Sequence, residues 1–309
     1  MIHTGTELPP LINNSFNNSL PNYDSPSELR AFLSKYEIGM RKKFGQNFLI
    51  NPSMRSMLLD ALDLPPGEEV WEVGPGLGAM TKGLLERGGR VTAFEIDPGF
   101  SGLLREFFGG DPAFHLVEGD VLKTWKTVSG GSEVFLLGNL PYNIAAALLA
   151  DLIGKGRFFK RMVVTVQREV ALRMAAAPGS KDYSSFSVLC SSVYKVNLLK
   201  IISASSFYPA PRVDSQAVRM DLLSESFNFP RFFYPLVRKL FSQRRKTIMN
   251  TLTTFASSVI MKPGLSAREA AMETLRVANV SPSRRAETLE KYEFAALAAA
   301  LEEIVTHGT

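Results

Sequence analysis

The chain alternates between short apolar runs and segments in which apolar residues recur at helical spacing. The apolar runs predict strands at 69–73, 90–95, 113–117, 133–138 and 161–166. Between most of these runs, the apolar positions follow the period of an amphipathic helix. Regular alternation of strand and helix is typical of a doubly wound, mostly parallel sheet. The pattern therefore predicts an α/β fold.

The region before this alternation carries a compositional bias and two helix-start signals. Residues 1–24 are rich in Asn, Ser and Pro, which is typical of a disordered arm. Ser25-Pro26-Ser27-Glu28 has the spacing of a capping box and predicts a short helix that ends near Tyr36. Asn51-Pro52 predicts the start of a second helix. We therefore expect a disordered arm and a short helix before the sheet.

The region after the fifth predicted strand changes character. A helix is predicted near 167–177, and strand-like runs at 194–201 and 213–222 predict a hairpin at the edge of the sheet. From about residue 227 onward the apolar spacing is helical. These boundaries predict an N-terminal extension at 1–40, an α/β domain at 41–224 and a smaller all-α domain at 225–309.

Two strand ends carry features that are typical of nucleotide binding. A glycine-rich turn from Gly74 to Gly78 follows the first predicted strand and precedes a helix. Glu95 ends the second strand about 20 residues further on, where an acidic side chain binds ribose hydroxyls in nucleotide-binding folds. Gly74-x-Gly76-x-x-Ala79 also satisfies the dinucleotide fingerprint. A dehydrogenase is therefore an alternative at this point.

The end of the fourth predicted strand suits a flat ring that bears an amine. Asn139-Leu140-Pro141-Tyr142 places an amide oxygen, a free backbone carbonyl and an aromatic face close together. The same pattern also fits an ordinary strand-to-helix loop. Asp120, after the third strand, offers a carboxylate to the amino group of a cofactor adenine.

Proton chemistry distinguishes the two enzymatic alternatives. A dehydrogenase needs a proton-transfer residue, and the three histidines are poorly placed for that role: His3 and His307 lie near the termini and His115 lies in a strand. Methyl transfer needs no such group. The strand ends therefore fit a methyltransferase better than a dehydrogenase.

Composition limits the cellular setting. A single cysteine, Cys190, excludes an intrachain disulfide and fits a reducing compartment, and its apolar neighbours predict a buried side chain. The N-terminus lacks the pattern of a secretion signal, and apolar runs are too short for a membrane helix. We therefore expect a cytoplasmic protein with no membrane partner.

The basic residues are clustered. The net charge is +5, and the clusters contain Arg41-Lys42-Lys43, Arg157 with Lys160-Arg161, Arg244-Arg245-Lys246 and Arg284-Arg285. Such clusters either bind nucleic-acid phosphates or form solvated helix faces. Charge alone leaves both interpretations open.

Eight short motifs in a fixed order resemble one family, the S-adenosylmethionine-dependent ribosomal RNA adenine N6-dimethyltransferases, and most closely those acting on small-subunit rRNA. They cover roughly residues 41–300. The motifs are Lys43-Phe44-Gly45-Gln46-Asn47-Phe48-Leu49, Glu72-Val73-Gly74-Pro75-Gly76, Glu95-Ile96-Asp97, Gly119-Asp120, Gly138-Asn139-Leu140-Pro141-Tyr142-Asn143, Phe207-Tyr208-Pro209-Ala210-Pro211-Arg212-Val213-Asp214-Ser215, Phe241-Ser242-Gln243-Arg244-Arg245-Lys246-Thr247 and Arg284-Arg285-Ala286-Glu287. One departure is Tyr183-Ser184-Ser185-Phe186-Ser187-Val188, where the family commonly has Tyr-Gly-x-Leu-Ser-Val.

The resemblance implies a Rossmann-like class I methyltransferase sheet, mostly parallel with an antiparallel edge hairpin, and the small all-α C-terminal domain. It also implies an S-adenosyl-L-methionine site and no metal. The residues expected to bind the cofactor are Asn47, Leu49, Gly74, Glu95, Asp120 and Asn139. The residues expected at the reacting adenine are Asn139 and Leu140 as acceptors for its N6 amine, and Tyr142 and Phe207 as stacking rings.

The function implied by the resemblance is dimethylation of two adjacent adenines near the 3′ end of small-subunit (16S) rRNA. The expected partner is the immature small ribosomal subunit, and a monomer is expected. Two alternatives stay open: a large-subunit rRNA dimethyltransferase of the macrolide-resistance type, and a ribosome-assembly factor that has lost the reaction.

Overall fold

A computed structural model describes residues 20–40, 45–129, 134–224, 229–260 and 265–307. Most of the predicted arm at 1–24 and the basic cluster Arg41-Lys42-Lys43 lie outside the described residues. The chain folds into two compact units, Met1–Pro141 with Ala204–Pro211, and Tyr142–Ser203 with Arg212–Thr309. The domain boundaries predicted after residues 40 and 224 stay predictions.

Strands and helices alternate through most of the chain. The strands are β1 (Phe48–Leu49), β2 (Glu69–Val73), β3 (Arg90–Glu95), β4 (Phe114–Glu118), β5 (Phe135–Asn139), β6 (Arg161–Gln167), β7 (Tyr194–Ile202), β8 (Phe207–Tyr208) and β9 (Ser215–Leu222). The helices are α1 (Pro26–Lys35), α2 (Pro52–Leu62), α3 (Ala79–Glu86), α4 (Pro98–Phe108), α5 (Val121–Thr124), α6 (Ala145–Gly154), α7 (Arg168–Met174), α8 (Ser185–Val193), α9 (Phe233–Phe241), α10 (Ile248–Val259), α11 (Ala267–Val277) and α12 (Lys291–His307).

The first unit is built on four parallel strands in the order β4-β3-β2-β5. Their central residues, such as Val70, Trp71 and Leu136, are buried, as expected for parallel strands that are covered on both faces. The register pairs Val73 with Phe94 and with Gly138. The carboxyl ends of neighbouring strands therefore lie at the same edge of the sheet, which confirms the predicted α/β architecture.

The predicted helix starts before the sheet are confirmed. The Ser25 hydroxyl accepts a hydrogen bond from the Glu28 amide, and Pro26 is the first residue of α1. Asn51 caps α2 in the same way through the Met54 amide. Leu29 and Leu33 are buried, so α1 is anchored by its apolar face.

The second unit combines three antiparallel strands with the helices of the C-terminal part. The strands follow the order β6-β9-β7, which confirms the predicted antiparallel pairing of β7 and β9. Residues of α9 to α12 share one apolar cluster with Tyr183 and Val188. Cys190 is fully buried and unpaired, and burial raises the pKa of its thiol; its predicted role as a buried apolar side chain is confirmed.

Two helices of this unit were not predicted. The apolar, Ser-rich stretch after Tyr183 forms α8, which begins at a capping box between Ser184 and Ser187. The departure from the family pattern therefore falls on a helix start that the serine side chains stabilise. The second helix, α11, begins at a capping box between Ser266 and Glu269.

Candidate active site

Four predicted site residues lie at the carboxyl edge of the parallel strands. Gly74 directly follows β2, Glu95 ends β3, Asp120 follows β4 and Asn139 ends β5. The register pairs Glu95 with Glu118 and Val73 with Gly138, so these residues are brought together by the sheet itself. Ligands of open α/β sheets bind at this edge, beyond the carboxyl ends of the strands.

The glycine-rich turn has a backbone that requires glycine. Gly74, Gly76 and Gly78 have φ values of +72°, +57° and +83°, which L side chains rarely adopt. A Cβ on Gly76 would come within 3.0 Å of the Phe48 ring. The turn therefore presents bare backbone amides beside Glu95.

Glu95 is a buried carboxylate with two backbone donors. Its Oε2 accepts from the Gly76 amide at 3.1 Å and its Oε1 accepts from the Asp97 amide at 2.8 Å. Burial raises the pKa of Glu95 to about 7, against the lowering effect of these hydrogen bonds. The side chain is therefore held in one orientation and is ready to accept hydroxyl donors when ionised.

Glu72 is a second buried acid, one strand away. The Thr81 hydroxyl donates to its Oε2 at 2.6 Å, and burial raises the pKa of Glu72 to about 8. Because Thr81 lies in α3, this bond links the strand to the helix on either side of the glycine-rich turn. Glu72 therefore supports the turn from inside the core.

Asp120 lies beside Glu95 at the next strand end. The Gly119 amide donates to the Glu95 carbonyl at 2.7 Å, and Gly119 has a φ of +120°. The Asp120 Oδ1 accepts from the Leu122 amide at 3.0 Å and so caps α5. These bonds fix the Asp120 carboxylate one residue after Gly119, whose amide contacts the end of the Glu95 strand.

The Asn139 amide is oriented by one hydrogen bond. Its Nδ2 donates to the Asn47 carbonyl at 2.8 Å. A carbonyl oxygen can only accept, so the amide nitrogen must face Asn47 and the Oδ1 is left as an acceptor on the other side. The Leu140 side chain is buried, and its carbonyl follows directly along the turn. Two acceptors are therefore held at the end of β5.

The segment from Gly45 to Leu49 runs beside the strand ends. Gln46 Nε2 donates to Asp97 Oδ2 at 3.1 Å, and Asn47 Nδ2 donates to the Gly45 carbonyl at 3.1 Å. Leu49 pairs with Phe207 in the two-stranded antiparallel ribbon of β1 and β8. The structure therefore brings Asn47 to Asn139, and Leu49 to Phe207.

The two predicted stacking rings have different surroundings. Phe207 belongs to the first unit and is only 3% exposed, so a base that stacks on it must first displace part of its cover. Tyr142 is the first residue of the second unit, and its hydroxyl forms a 2.6 Å hydrogen bond with Ser215 Oγ. Burial raises the pKa of Tyr142, so its hydroxyl stays protonated at neutral pH.

Sequence reasoning missed two residues that hold this site. The Tyr23 hydroxyl donates to the Leu77 carbonyl in the glycine-rich turn at 3.0 Å, and Arg55 Nη1 donates to the Leu49 carbonyl at 2.8 Å. Both acceptors are backbone carbonyls. Because every residue has a backbone carbonyl, the residue type at the accepting position does not indicate the contact. The only signal is proximity in sequence: Arg55 closely follows the Asn47–Leu49 motif.

The polar groups at the strand ends are mostly acceptors. Two carboxylates, an amide oxygen and backbone carbonyls fit a ligand that is rich in hydroxyl and amino donors, such as a nucleoside. In the part of the chain that the structure describes, no group of three His, Cys, Asp or Glu side chains could hold a metal ion. In the same residues, no helix is long and apolar enough to cross a membrane.

Sequence comparison decides the family. A sequence model of the ribosomal RNA adenine dimethylases matches residues 38–295, which include every predicted site residue. The chain belongs to the ribosomal RNA adenine dimethylase family. The chain is therefore an rRNA methyltransferase.

The similarity to bacterial relatives extends over most of the length of this chain. It is 44% identical over 289 residues to ribosomal RNA small subunit methyltransferase A of Treponema denticola, covering 92% of this chain and 97% of that protein. It is 43% identical over 239 residues to the protein of the same name from Borreliella burgdorferi, covering 77% of this chain and 84% of that protein.

Two solved structures share the fold of this family member. A dimethyladenosine transferase from Plasmodium falciparum aligns with a TM-score of 0.67 and 24% identity, covering 80% of this chain and 94% of that one. The 23S rRNA methyltransferase ErmE aligns with a TM-score of 0.58 and 22% identity, covering 82% and 99%. The predicted class I methyltransferase fold is confirmed.

Proposed function

We propose that this enzyme uses S-adenosyl-L-methionine to dimethylate N6 of two adjacent adenines near the 3′ end of small-subunit (16S) rRNA. Its substrate would be the immature small ribosomal subunit in the cytoplasm, and the enzyme would act as a monomer. The names of the two bacterial relatives support the choice of subunit. The observation that carries the chemistry is the Asn139 amide, which Asn47 holds with its oxygen free to accept.

The strand-end residues suit the methyl donor. Glu95 would accept from the ribose hydroxyls, since its carboxylate is already fixed by two backbone amides. Asp120 would accept from the adenine amine of the cofactor. Gly74 would let the ligand approach the backbone closely because it carries no side chain. Asn47 and Leu49 would cover the ligand from the segment beside the strand ends.

The target amine needs orientation more than it needs a base. Its lone pair is delocalised into the purine ring, so the amine is a poor nucleophile. Hydrogen bonds from N6–H to Asn139 Oδ1 and the Leu140 carbonyl would favour a pyramidal nitrogen and direct its lone pair. S-adenosyl-L-methionine supplies an electrophilic methyl group on a good leaving group, so positioning carries much of the catalysis.

The same acceptors also stabilise developing charge. As the nitrogen becomes more positive during methyl transfer, Asn139 Oδ1 and the Leu140 carbonyl stabilise it through hydrogen bonds that are already oriented. An amide cannot remove a proton, and none has to leave before the bond from N6 to the methyl carbon forms and the bond from that carbon to sulfur breaks. The extra proton on N6 passes to solvent afterwards. This explains an Asn rather than an Asp at the end of β5.

Two rings would hold the target base outside the RNA stack. Phe207 and Tyr142 are the candidates, and stacking on an aromatic side chain contributes about 1–3 kcal/mol per base in comparable sites. The adenine must first leave its own stack. Because Phe207 is buried in the structure, its contact with the base requires a local opening of the site.

Methyl incorporation tests the proposal. Purified enzyme is incubated with labelled S-adenosyl-L-methionine and small subunits that lack the modification, and the rRNA is digested to nucleosides. We expect label in dimethyladenosine from small subunits. Asn139→Ala should lower kcat by at least about 100-fold, as expected when one oriented acceptor of a transition state is lost. Its binding to subunits should stay measurable.

The alternatives give different outcomes. Label in free large-subunit rRNA and none in small subunits would assign the enzyme to the other ribosomal subunit. Subunit binding without incorporation by the parent protein would identify an assembly factor. Calorimetric binding of NAD, with no heat from S-adenosyl-L-methionine, would support a dehydrogenase and refute the proposal.

A further inference from the structure

An N-terminal strap, residues 20–36, forms part of the first unit and precedes the family match, which begins at residue 38. Its helix α1 packs on α4: the Phe32 and Phe107 rings are 6.0 Å apart, and Tyr36 meets Phe107 edge-on at 6.4 Å. Leu29 and Leu33 are almost fully buried. The strap is therefore part of the folded protein and not a loose extension.

The first contact of the strap with the site is made by Tyr23. Its hydroxyl donates to the Leu77 carbonyl at 3.0 Å. Leu77 lies inside the glycine-rich turn, between Gly76 and Gly78. Burial raises the pKa of Tyr23, so the phenol stays protonated and remains a donor. A side chain of the strap thus holds the turn whose amides adjoin Glu95.

The second contact passes through Arg55 on α2. Its Nη2 forms an ion pair with Asp24 of the strap, while its Nη1 donates to the Leu49 carbonyl at 2.8 Å. The guanidinium also lies 5.9 Å from the centroid of the Tyr23 ring. A planar guanidinium can make such contacts simultaneously in a fixed geometry. The orientation of Leu49, a predicted cofactor residue, is therefore coupled to the strap.

A third contact reaches the ribbon of β1 and β8. Arg30 Nε donates to the Tyr208 hydroxyl at 3.2 Å, and the guanidinium lies 5.7 Å from the centre of that ring. Tyr208 pairs with Phe48, whose ring would be 3.0 Å from a Cβ on Gly76. The strap therefore contacts both segments that flank the strand ends.

We propose that the strap is a positioning element for the cofactor site, with Tyr23 and Arg55 as positioning residues that act through the Leu77 and Leu49 carbonyls. The inference rests on the proposed function, because the site it organises is that of S-adenosyl-L-methionine. A flexible turn loses conformational entropy when a ligand orders it. By fixing the turn and Leu49 beforehand, the strap reduces that loss and increases affinity for the cofactor.

A single hydroxyl deletion tests this role. Tyr23→Phe removes the hydrogen bond to Leu77 and keeps the ring. We expect S-adenosylhomocysteine to bind about fivefold more weakly by calorimetry, the size of one lost hydrogen bond. KM for S-adenosyl-L-methionine should rise similarly while kcat stays within about twofold, because the contact is the same in the ground state and the transition state.

Matched variants separate positioning from general stability. Tyr36→Phe removes the same atom from the same strap, but the Tyr36 hydroxyl bonds to Glu106 and not to the site; its affinity should equal that of the parent. Arg55→Lys should weaken binding as Tyr23→Phe does, because one ammonium cannot reproduce both guanidinium contacts. Arg87→Lys, which changes an ion pair with Asp60, is its control.

The outcomes distinguish failure of the strap's positioning role from failure of the proposed function. If the parent binds S-adenosylhomocysteine and both Tyr23→Phe and Arg55→Lys bind it equally well, the positioning role is refuted and the proposed function stands. In a second outcome, every variant, controls included, loses affinity in proportion to the decrease in its urea midpoint relative to the parent. The strap then only stabilises the fold, and its positioning role is also refuted. A parent that binds no cofactor overturns the proposed function itself.

Discussion

The positions of the side chains at the strand ends can be predicted from the sequence. Their environments, which set their pKa values, cannot. The position of Glu95 at the end of a strand, downstream of a glycine-rich turn, is sufficient to predict a ribose acceptor. Its pKa of about 7 depends on burial and on the Gly76 and Asp97 amides. No local pattern predicts this environment, because it is created by packing between neighbouring strands.

Cofactor affinity should therefore depend on pH through Glu95. Only the ionised carboxylate can accept from two ribose hydroxyls, so affinity should increase as pH rises through 7 and level off above it. With a pKa of about 7, the dissociation constant of S-adenosylhomocysteine should be about tenfold larger at pH 6 than at pH 8. Calorimetry at several pH values measures this. Glu95→Gln should bind weakly with a flat profile, whereas Glu118→Gln, at an exposed strand end, should keep the parent's slope.

The same group affects folding stability with the opposite sign. The pKa of Glu95 is higher in the folded protein than in the unfolded chain, so the folded state binds more protons between about pH 4.5 and 7. Its contribution to stability therefore decreases as pH rises through this range, by up to about 1.4 kcal/mol per pH unit. A parent that gains stability relative to Glu95→Gln over this range would contradict the assignment.

Helices and strands were predicted where local signals agree with the fold. The parallel strands carry continuous apolar runs, and α1 and α2 carry their caps in the sequence. The short strands β1 and β8 were missed because each contains two residues and its partner is distant along the chain. Helix α8 was missed because serine has only a moderate helix propensity and its apolar residues are buried nearly all round, which leaves no helical stripe to detect.

A substitution in the turn before α3 tests whether the conformation of that turn limits stability and cofactor binding. Gly78 has a φ of +83°, and a Cβ there would lie 2.4 Å from Phe108 Cε2. Gly78→Ala should therefore lower the free energy of unfolding by about 1–3 kcal/mol and weaken cofactor binding, since strain and a steric clash both displace the turn. Urea denaturation and calorimetry measure the two effects.

Gly102→Ala is the matched control. Gly102 lies inside α4, and a Cβ there would meet no atom within 4 Å. Alanine should therefore stabilise the helix by about 0.5–1 kcal/mol and leave cofactor affinity unchanged. Equal behaviour of the two variants would show that the conformation of the turn does not limit stability or binding.

The net charge of the chain follows directly from the sequence. Which basic side chains form ion pairs within the protein and which are exposed does not. Within the described residues, the predicted basic clusters are divided between structural and exposed positions. Arg244 pairs with Glu287 and donates to the Lys181 carbonyl, and Arg284 pairs with Glu293. Arg245 and Arg285 are exposed. Neighbouring residues of one motif therefore have different surroundings, which only the tertiary fold determines.

This division predicts different effects at two adjacent arginines: loss of stability at Arg244 and loss of rRNA binding at Arg245. Arg244→Ala should lower the free energy of unfolding by up to about 1 kcal/mol, because a partly exposed ion pair and its backbone contact are lost. Arg245→Ala should leave stability unchanged and weaken rRNA binding. If Arg245 neutralises one phosphate, the slope of log affinity against log salt should decrease in magnitude by about 0.7–0.9. Fluorescence anisotropy with a small-subunit rRNA fragment across a KCl series measures the slope.

Arg276→Ala controls for loss of a positive charge elsewhere, since Arg276 is exposed on α11 and pairs with Glu273. It should change neither the stability nor the salt slope appreciably. An unchanged slope for Arg245→Ala would show that this guanidinium does not contact phosphate. A reduced slope for both variants would instead indicate a general effect of net charge on association, and phosphate recognition would then be spread over the surface of the protein rather than concentrated in the motif after α9.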